Sequence, residues 1–139
     1  MRTFSAREIA HRLAPTAEVE ESTFQRIRAW TAIGLLRPSV EYPGTGRKRE
    51  YPESEVKKAR ILNALANFDV STKTMKDVVF WLDRGTLRDD RMEETPLYLI
   101  ISKTPTGTAV ETEVYISGFT LTPSDDCVLI VNLKRLWIV

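Results

Sequence analysis

The chain has 139 residues and a mass of 15.9 kDa, which is enough polypeptide for one domain and at most a small second unit. Hydrophobic residues make up 42% of it and charged residues 28%, a composition that excludes global disorder, and its formal charge is only +1. As a whole-chain average, that charge argues against a nucleic acid or an anionic membrane as partner, because both usually select a basic surface.

Boundary signals in the first third of the chain predict two short helices. Ser5 and Glu8 have the spacing of a capping box, so the first helix should start at Ser5 and run to about Leu13, just before a proline. A second capping box at residues 22–25 predicts the start of the next helix, and Gly34 is its expected left-handed end.

The middle of the chain predicts a loop followed by two more helices. Residues 37–51 hold two prolines, two glycines and three consecutive basic residues, which is typical of a loop or a hairpin tip. Apolar residues at helical spacing then predict a third helix from Pro52 to about Asn67. A fourth helix is expected to be capped by Ser71 and ended by Gly85.

The pattern changes from helix to strand after residue 86. Residues 86–95 are charged and precede a proline, which predicts a linker. Beyond them, alternating and continuous apolar runs predict antiparallel strands at residues 97–103, 110–117, 127–133 and 136–139. The expected fold class is therefore α+β, with a four-helix domain at 1–87, a linker at 88–96 and a small β-rich segment at 97–139 as a candidate dimerisation or effector region.

Side chains that support catalysis or metal binding are scarce. Cys127 and His11 are single residues of their types, so they cannot form an internal disulfide or a Cys/His zinc site. No Gly-rich phosphate loop, nucleophile elbow or metalloprotease motif occurs, and we expect no enzyme, no metal and no cofactor. The N-terminus lacks the apolar run of a secretory signal, and no apolar stretch is long enough for a transmembrane helix, so we expect a cytoplasmic protein without a membrane partner.

Dividing the charge along the chain changes the meaning of its average. Residues 1–60 carry 12 Lys+Arg against 8 Asp+Glu, a net charge of +4, while residues 61–139 carry 8 against 11, a net charge of −3. Much of the basic charge of the first part falls on the second helix and in the loop after it. A helix fits the major groove of B-DNA and a basic loop beside it can reach phosphates, so this part of the chain is a candidate nucleic-acid reader.

The second helix carries side chains that such a reader needs. Thr23, Arg26 and Trp30 are spaced i, i+3 and i+7 and share one side of the helix, which Gln25 and Arg28 flank. Arginine and glutamine can form paired hydrogen bonds with the edges of bases. The alternative is that both arginines are ordinary solvated charges, and the neighbouring basic loop favours the first interpretation.

Several segments together resemble one known family in their order and spacing. They are residues 27–36, which end in Gly-Leu-Leu, the Arg37-Pro38 pair, the loop residues 46–51 and the Glu55-Val56 pair. Over about residues 4–85 the chain is similar to the winged helix-turn-helix DNA-binding domain of MerR-family transcription regulators. The resemblance implies that the first two helices form the helix-turn-helix and that residues 46–51 form the wing.

The resemblance also implies roles for individual residues. Arg28 falls on a DNA-contacting arginine, Trp30 falls on an aromatic residue that leans on the sugar-phosphate backbone, and Tyr51 is expected to pack the wing against the helices. Arg47 and Lys48 are added on their charge alone. The candidate DNA-binding residues are Thr23, Gln25, Arg26, Arg28, Trp30, Arg37, Arg47, Lys48, Arg49 and Tyr51.

The chain departs from the family pattern in three respects. The link at residues 14–21 is longer than usual and brings three glutamates near the expected DNA face. Ala29 replaces an aromatic residue, and Pro52 replaces a serine cap. The long dimerisation helix of most members is missing, so we expect a homodimer that forms through the C-terminal sheet and reads a palindromic site, or else strands that only cover the helices of one chain.

The leading hypothesis is a sequence-specific, double-stranded-DNA-binding transcriptional regulator, associated with the nucleoid in the cytoplasm. It would insert its second helix into the major groove of a promoter or operator. Family members typically distort promoter DNA for RNA polymerase, which is therefore a candidate partner. The alternatives are a phage-type excisionase or other architectural or packaging DNA-binding protein, and a protein-interaction or ligand-binding module on a winged-helix scaffold, because the fold alone does not establish DNA binding.

Overall fold

A computed structural model of the chain describes residues 2–40, 46, 48–83, 98–104, 107–113 and 127–136. The chain divides between Asp69 and Val70 into two compact units. The predicted linker at residues 88–96 lies outside the described residues, so the domain boundaries 1–87 and 97–139 stay a prediction. Helices and antiparallel strands together confirm the predicted α+β class.

The first unit holds three helices and one short strand pair. In chain order its elements are β1 (Thr3–Ser5), α1 (Ala6–Leu13), α2 (Ala17–Ala32), β2 (Glu50–Pro52) and α3 (Glu53–Asn67). Its core is apolar and is drawn from every one of these elements; among its most buried side chains are Phe4, Ile9, Ile27, Tyr51 and Leu62.

The start of α1 is the capping box that the sequence predicts. The Glu8 amide donates to Ser5 Oγ at 3.3 Å, and the Ser5 amide donates to Glu8 Oε2 at 2.7 Å. The hydrogen bond from the Ser5 amide lowers the pKa of the Glu8 carboxyl below its ordinary value of 4.5. The helix ends at Leu13, which also confirms the prediction.

The predicted start of α2 is wrong. The helix begins at Ala17, after Thr16, and the Ser22 hydroxyl donates to the Val19 carbonyl inside the helix instead of capping it. Acidic residues in the first turn suit the positive end of the helix dipole, which explains why the glutamate-rich segment is helical. The link between α1 and α2 is therefore only residues 14–16, not the long link that the sequence predicts.

The end of α2 is the left-handed glycine that the sequence predicts. Gly34 has φ +81°, and its amide donates to the Thr31 carbonyl at 3.2 Å. The next amide, that of Leu35, donates to the Trp30 carbonyl at 2.8 Å. This pair of bonds is a Schellman motif, which satisfies two carbonyls at the helix end and turns the chain sharply.

A two-stranded sheet that sequence patterns do not predict fixes the base of the wing. Strands β1 and β2 pair antiparallel, with Phe4 opposite Tyr51. Tyr51 is 1% exposed, and its hydroxyl shares a hydrogen bond of 2.8 Å with the hydroxyl of Thr31 on α2. Strand β2, at the end of the wing, is thereby joined to both β1 and α2.

Helix α3 follows β2 directly and occupies the predicted range. Its N-cap residue Pro52 makes no side-chain cap bond, and the helix ends at Asn67. Glu55, in its first turn, is buried, accepts the backbone N–H of Arg37 at 2.9 Å and pairs with Lys58 at 2.8 Å. That buried carboxylate ties the segment after α2 to the start of α3.

The second unit combines one helix with a three-stranded sheet. Helix α4 (Thr72–Asp83) starts after Ser71, whose hydroxyl accepts the Thr74 amide at 3.2 Å, as predicted for a cap. Its predicted end at Gly85 lies outside the described residues. The remaining elements are β3 (Tyr98–Thr104), β4 (Gly107–Glu113), β5 (Cys127–Asn132) and a short helix α5 (Leu133–Leu136).

The sheet of the second unit has the order β4-β3-β5 with both pairs antiparallel, and α4 packs against β4. Strand β4 begins three residues before the predicted 110, and residues 114–117 lie outside the described part. The predicted strand at 136–139 is wrong at Leu136, which ends α5, because the Asn132 side chain accepts the Arg135 amide at 3.1 Å and starts a helical turn there. Among the described residues, no helix is long and apolar enough to cross a membrane.

Candidate nucleic-acid interface

A concave surface in the first unit brings α1, α2 and the wing together. It encloses a cavity of about 400 Å³, which four basic side chains line together with an aromatic ring. This basic surface is made of Arg7, Phe24, Arg28, Lys48 and Arg49, and Ser5, Ala6 and Tyr51 complete the cavity wall. Cations from three separate elements thus converge on one side of the unit.

Two guanidinium groups flank the aromatic ring of Phe24 on this surface. The Cζ atom of Arg7 lies 3.7 Å from the ring centroid, and the Cζ atom of Arg28 lies 5.8 Å from it. Stacking on an aromatic face holds an arginine through its flat side and leaves its in-plane N–H groups available for oxygen ligands. Phe24 therefore supports the Arg7 guanidinium without using up its hydrogen-bond donors, while Arg28 makes a longer contact with the same ring.

The Arg7 side chain already has one oxygen ligand from α2. Glu21 Oε2 accepts from Arg7 Nη1, and Glu21 Oε1 accepts from Gln25 Nε2 at 2.8 Å. The hydrogen bond from Arg7 lowers the pKa of the Glu21 carboxyl, and the bond from Gln25 adds to the effect. Gln25 is exposed, as expected for a residue that reads bases, and its side-chain amide is hydrogen-bonded to Glu21 on the same helix.

Arg26 does not share the basic surface with Arg28. Its Nη1 donates to Asn63 Oδ1 at 3.1 Å and to Asn67 Oδ1 at 3.0 Å, both on α3. The helical spacing that groups Arg26 with a DNA-reading face also places it against α3, which helical periodicity by itself does not reveal. Its observed role is to join α2 to α3.

Two other predicted contacts lie in the core. Thr23 is 3% exposed and its hydroxyl donates to the Val19 carbonyl at 2.8 Å, while Trp30 is 7% exposed. Both side chains lie on the buried face of α2, which also carries Ile27. The structure assigns them positions that support the helix, in place of the surface positions that their spacing predicts.

The remaining predicted residues have separate positions. Tyr51 packs the base of the wing, as the resemblance implies. Arg37 is exposed but does not line the cavity, and its backbone rather than its guanidinium contacts Glu55. Arg47 lies outside the described residues.

Sequence reasoning does not single out Arg7 and Phe24 as site residues. Their signal is a contact between helices, which spacing within one helix cannot show. Once α2 is known to begin at Ala17, Glu21 falls on its second turn and can reach α1. In the described part of the chain, no group of three or more His, Cys, Asp or Glu is arranged to hold a metal ion.

Comparison with known proteins finds a family match for the part of the chain that carries α2, the wing and α3. Residues 13–80 match the family described as MerR HTH family regulatory protein, a span that runs from the end of α1 into α4. No curated protein matches the chain at a significant level. The match, over just under half of the chain, confirms the resemblance that the Gly-Leu-Leu segment and the wing carry to a MerR-family helix-turn-helix DNA-binding domain.

Proposed function

We propose that the chain binds double-stranded DNA in a sequence-specific manner and regulates transcription at a promoter or operator. The observation that supports this function best is the convergence of Arg28 from α2 with Lys48 and Arg49 from the wing on one concave surface. In a helix-turn-helix, the second helix enters the major groove while neighbouring cations hold the backbone. The arrangement supplies both kinds of contact from one unit.

The contact residues divide by their chemistry. Arg28 is exposed on α2, the expected reading helix, and its guanidinium can form a bidentate bond with a guanine edge. Lys48 and Arg49 are exposed cations of the wing and suit phosphates. Gln25 is a second candidate base reader, since its amide leaves Glu21 at little cost on an exposed helix face.

A homodimer on a palindromic site completes the proposal. Within the described residues, β5 stands at one edge of the sheet, and Ile130 on it is 43% exposed. An unpaired apolar edge is a common site of strand addition by a second copy, and twofold symmetry would present two basic surfaces to two half-sites. RNA polymerase is the partner expected at a promoter.

The test is selection of bound duplexes from a random pool with the full chain, together with its solution mass. We expect a palindromic motif and a dimer. Arg28→Ala should lose the preference for one base of each half-site, with a loss of about 1–3 kcal/mol on the selected duplex. Arg135→Ala, an exposed arginine of α5, is the matched control and should select the wild-type motif.

Other outcomes would favour the alternative functions. Cooperative coating of DNA without a short motif would indicate an architectural or packaging protein. Failure to retain any duplex would contradict DNA binding and favour a protein-interaction or ligand-binding module on the same scaffold.

A further inference from the structure

The basic surface contains a cation that comes from α1 rather than from the reading helix or the wing. Arg7 stacks on Phe24 at 3.7 Å, closer than the 5.8 Å of Arg28 on the same ring. It lines the same cavity as Lys48 and Arg49. A guanidinium held by its face beside two wing cations has the orientation and the in-plane N–H groups of a phosphate ligand.

An anion from the same chain already occupies part of this position. The Glu21 carboxylate accepts from Arg7 through one oxygen and from Gln25 through the other. The side chains of Arg7 and Glu21 are 56% and 58% exposed, so water screens their attraction and the pair opens at small cost. A phosphodiester offers the same kind of charged oxygen acceptors that this carboxylate presents to Arg7.

We propose that Arg7 binds a backbone phosphate of DNA and that Glu21 is its counterion in the free protein, exchanged for that phosphate on binding. The inference rests on the proposed DNA-binding function and adds to it one contact residue and one internal competitor. The exchange keeps Arg7 paired with an anion throughout. Glu21 is released to water on an exposed helix face, so no buried charge is created.

Glu21 should then weaken binding to every duplex, whatever its sequence. Each phosphate that approaches Arg7 has to displace the carboxylate, and the Glu21 charge remains near the bound backbone. This cost is the same for every duplex, so it lowers the affinity for specific and unrelated DNA alike and leaves the ratio between the two affinities to the base contacts.

The test measures affinity for the selected duplex and for a scrambled duplex by fluorescence anisotropy, with the full chain at several salt concentrations. Arg7→Gln should bind about five- to tenfold more weakly at low salt, and its plot of log K against log salt should be shallower by about 0.9 for each phosphate that the variant no longer neutralises. Arg7→Lys keeps the charge and should keep the wild-type slope. A merely structural role for Arg7 would not change the slope.

Glu21→Gln should bind both duplexes several-fold more tightly than the wild type. Glu18→Gln is the matched control, because it removes the same charge one turn earlier on α2, where no contact with Arg7 exists among the described residues. Glu21→Gln should increase the affinity for DNA more than Glu18→Gln does, and this difference should disappear when Arg7 is replaced by glutamine as well. Thermal melts of each variant verify that the exposed substitutions leave the fold intact.

The outcomes separate the inference from the function on which it rests. Wild-type protein that binds the selected duplex, while Arg7→Gln binds it with the same affinity and slope, overturns the exchange and leaves DNA binding in place. Equal gains for Glu21→Gln and Glu18→Gln in both backgrounds likewise overturn the exchange alone. Wild-type protein that binds no duplex overturns both.

Discussion

Arg26 and Arg28 lie two residues apart on α2 and have different roles. Arg26 is half-buried and bonds two asparagines of α3, whereas Arg28 is exposed beside Phe24. A rotation of about 200° around the helix axis separates the two side chains, which is why one meets α3 and the other meets solvent. From residue type alone both arginines are predicted to contact DNA, and only the packing of α3 against α2 distinguishes them.

Replacing Arg26 with alanine should destabilise the fold. The change removes hydrogen bonds from a charged donor to Asn63 and Asn67, and we expect a loss of about 1–3 kcal/mol in the free energy of unfolding. Urea denaturation followed by circular dichroism measures it. Arg28→Ala is the matched control and should stay within about 0.5 kcal/mol of the wild type. Equal stabilities for the two variants would contradict a stabilising role for the hydrogen bonds from Arg26 to α3.

Among the secondary-structure elements, helix ends with local signals could be predicted and those without them could not. Ser5, Gly34 and Ser71 mark their helix ends through contacts within a few residues, and all three are confirmed. Thr16 makes no side-chain cap bond, so the start of α2 leaves no local signature. The three-residue strands β1 and β2 are likewise too short for an alternating pattern, and their pairing joins residues far apart in sequence.

The same distinction holds for the candidate site. Arg28, Lys48 and Arg49 could be named from charge and resemblance, and the structure brings them to one cavity. Arg7 joins them only through its stack on Phe24, a contact between α1 and α2. The spacing of Thr23 and Trp30 predicts contacts with DNA, yet both side chains are buried in the protein. Periodicity within one helix does not show which other element each of its faces meets.

Gly34 should be the most sensitive position at the end of α2. Its φ of +81° lies in the left-handed region, and a Cβ there would meet no atom within 4 Å, so the cost of Gly34→Ala is conformational and not steric. We expect a loss of about 1–2 kcal/mol in the free energy of unfolding, measured by urea denaturation. Gly34→Asn should lose less, because asparagine tolerates this conformation better. A variant with alanine as stable as wild type would contradict the Schellman end.

Over the molecule as a whole, the charge of +1 conceals a concentration of cations. The net charge of +4 over residues 1–60 includes Lys57 and Lys58, which are buried on α3 and pair with Glu53 and Glu55. Four other cations, Arg7, Arg28, Lys48 and Arg49, lie together around the cavity between α1, α2 and the wing. A chain of low net charge can bind DNA through such a surface, with weak binding to DNA of unrelated sequence.

If the basic surface holds the DNA backbone, the salt dependence of binding must reveal it. The affinity of the full chain for its selected duplex is measured over a range of salt for the wild type and for Lys48→Gln/Arg49→Gln. Lys76→Gln/Arg135→Gln removes the same charge from exposed positions of the second unit and serves as the control. We expect weaker binding and a slope shallower by about 1.8 per protomer for the wing variant, with little change for the control. Equal slopes for the wild type and the wing variant would contradict a role of this surface in holding DNA.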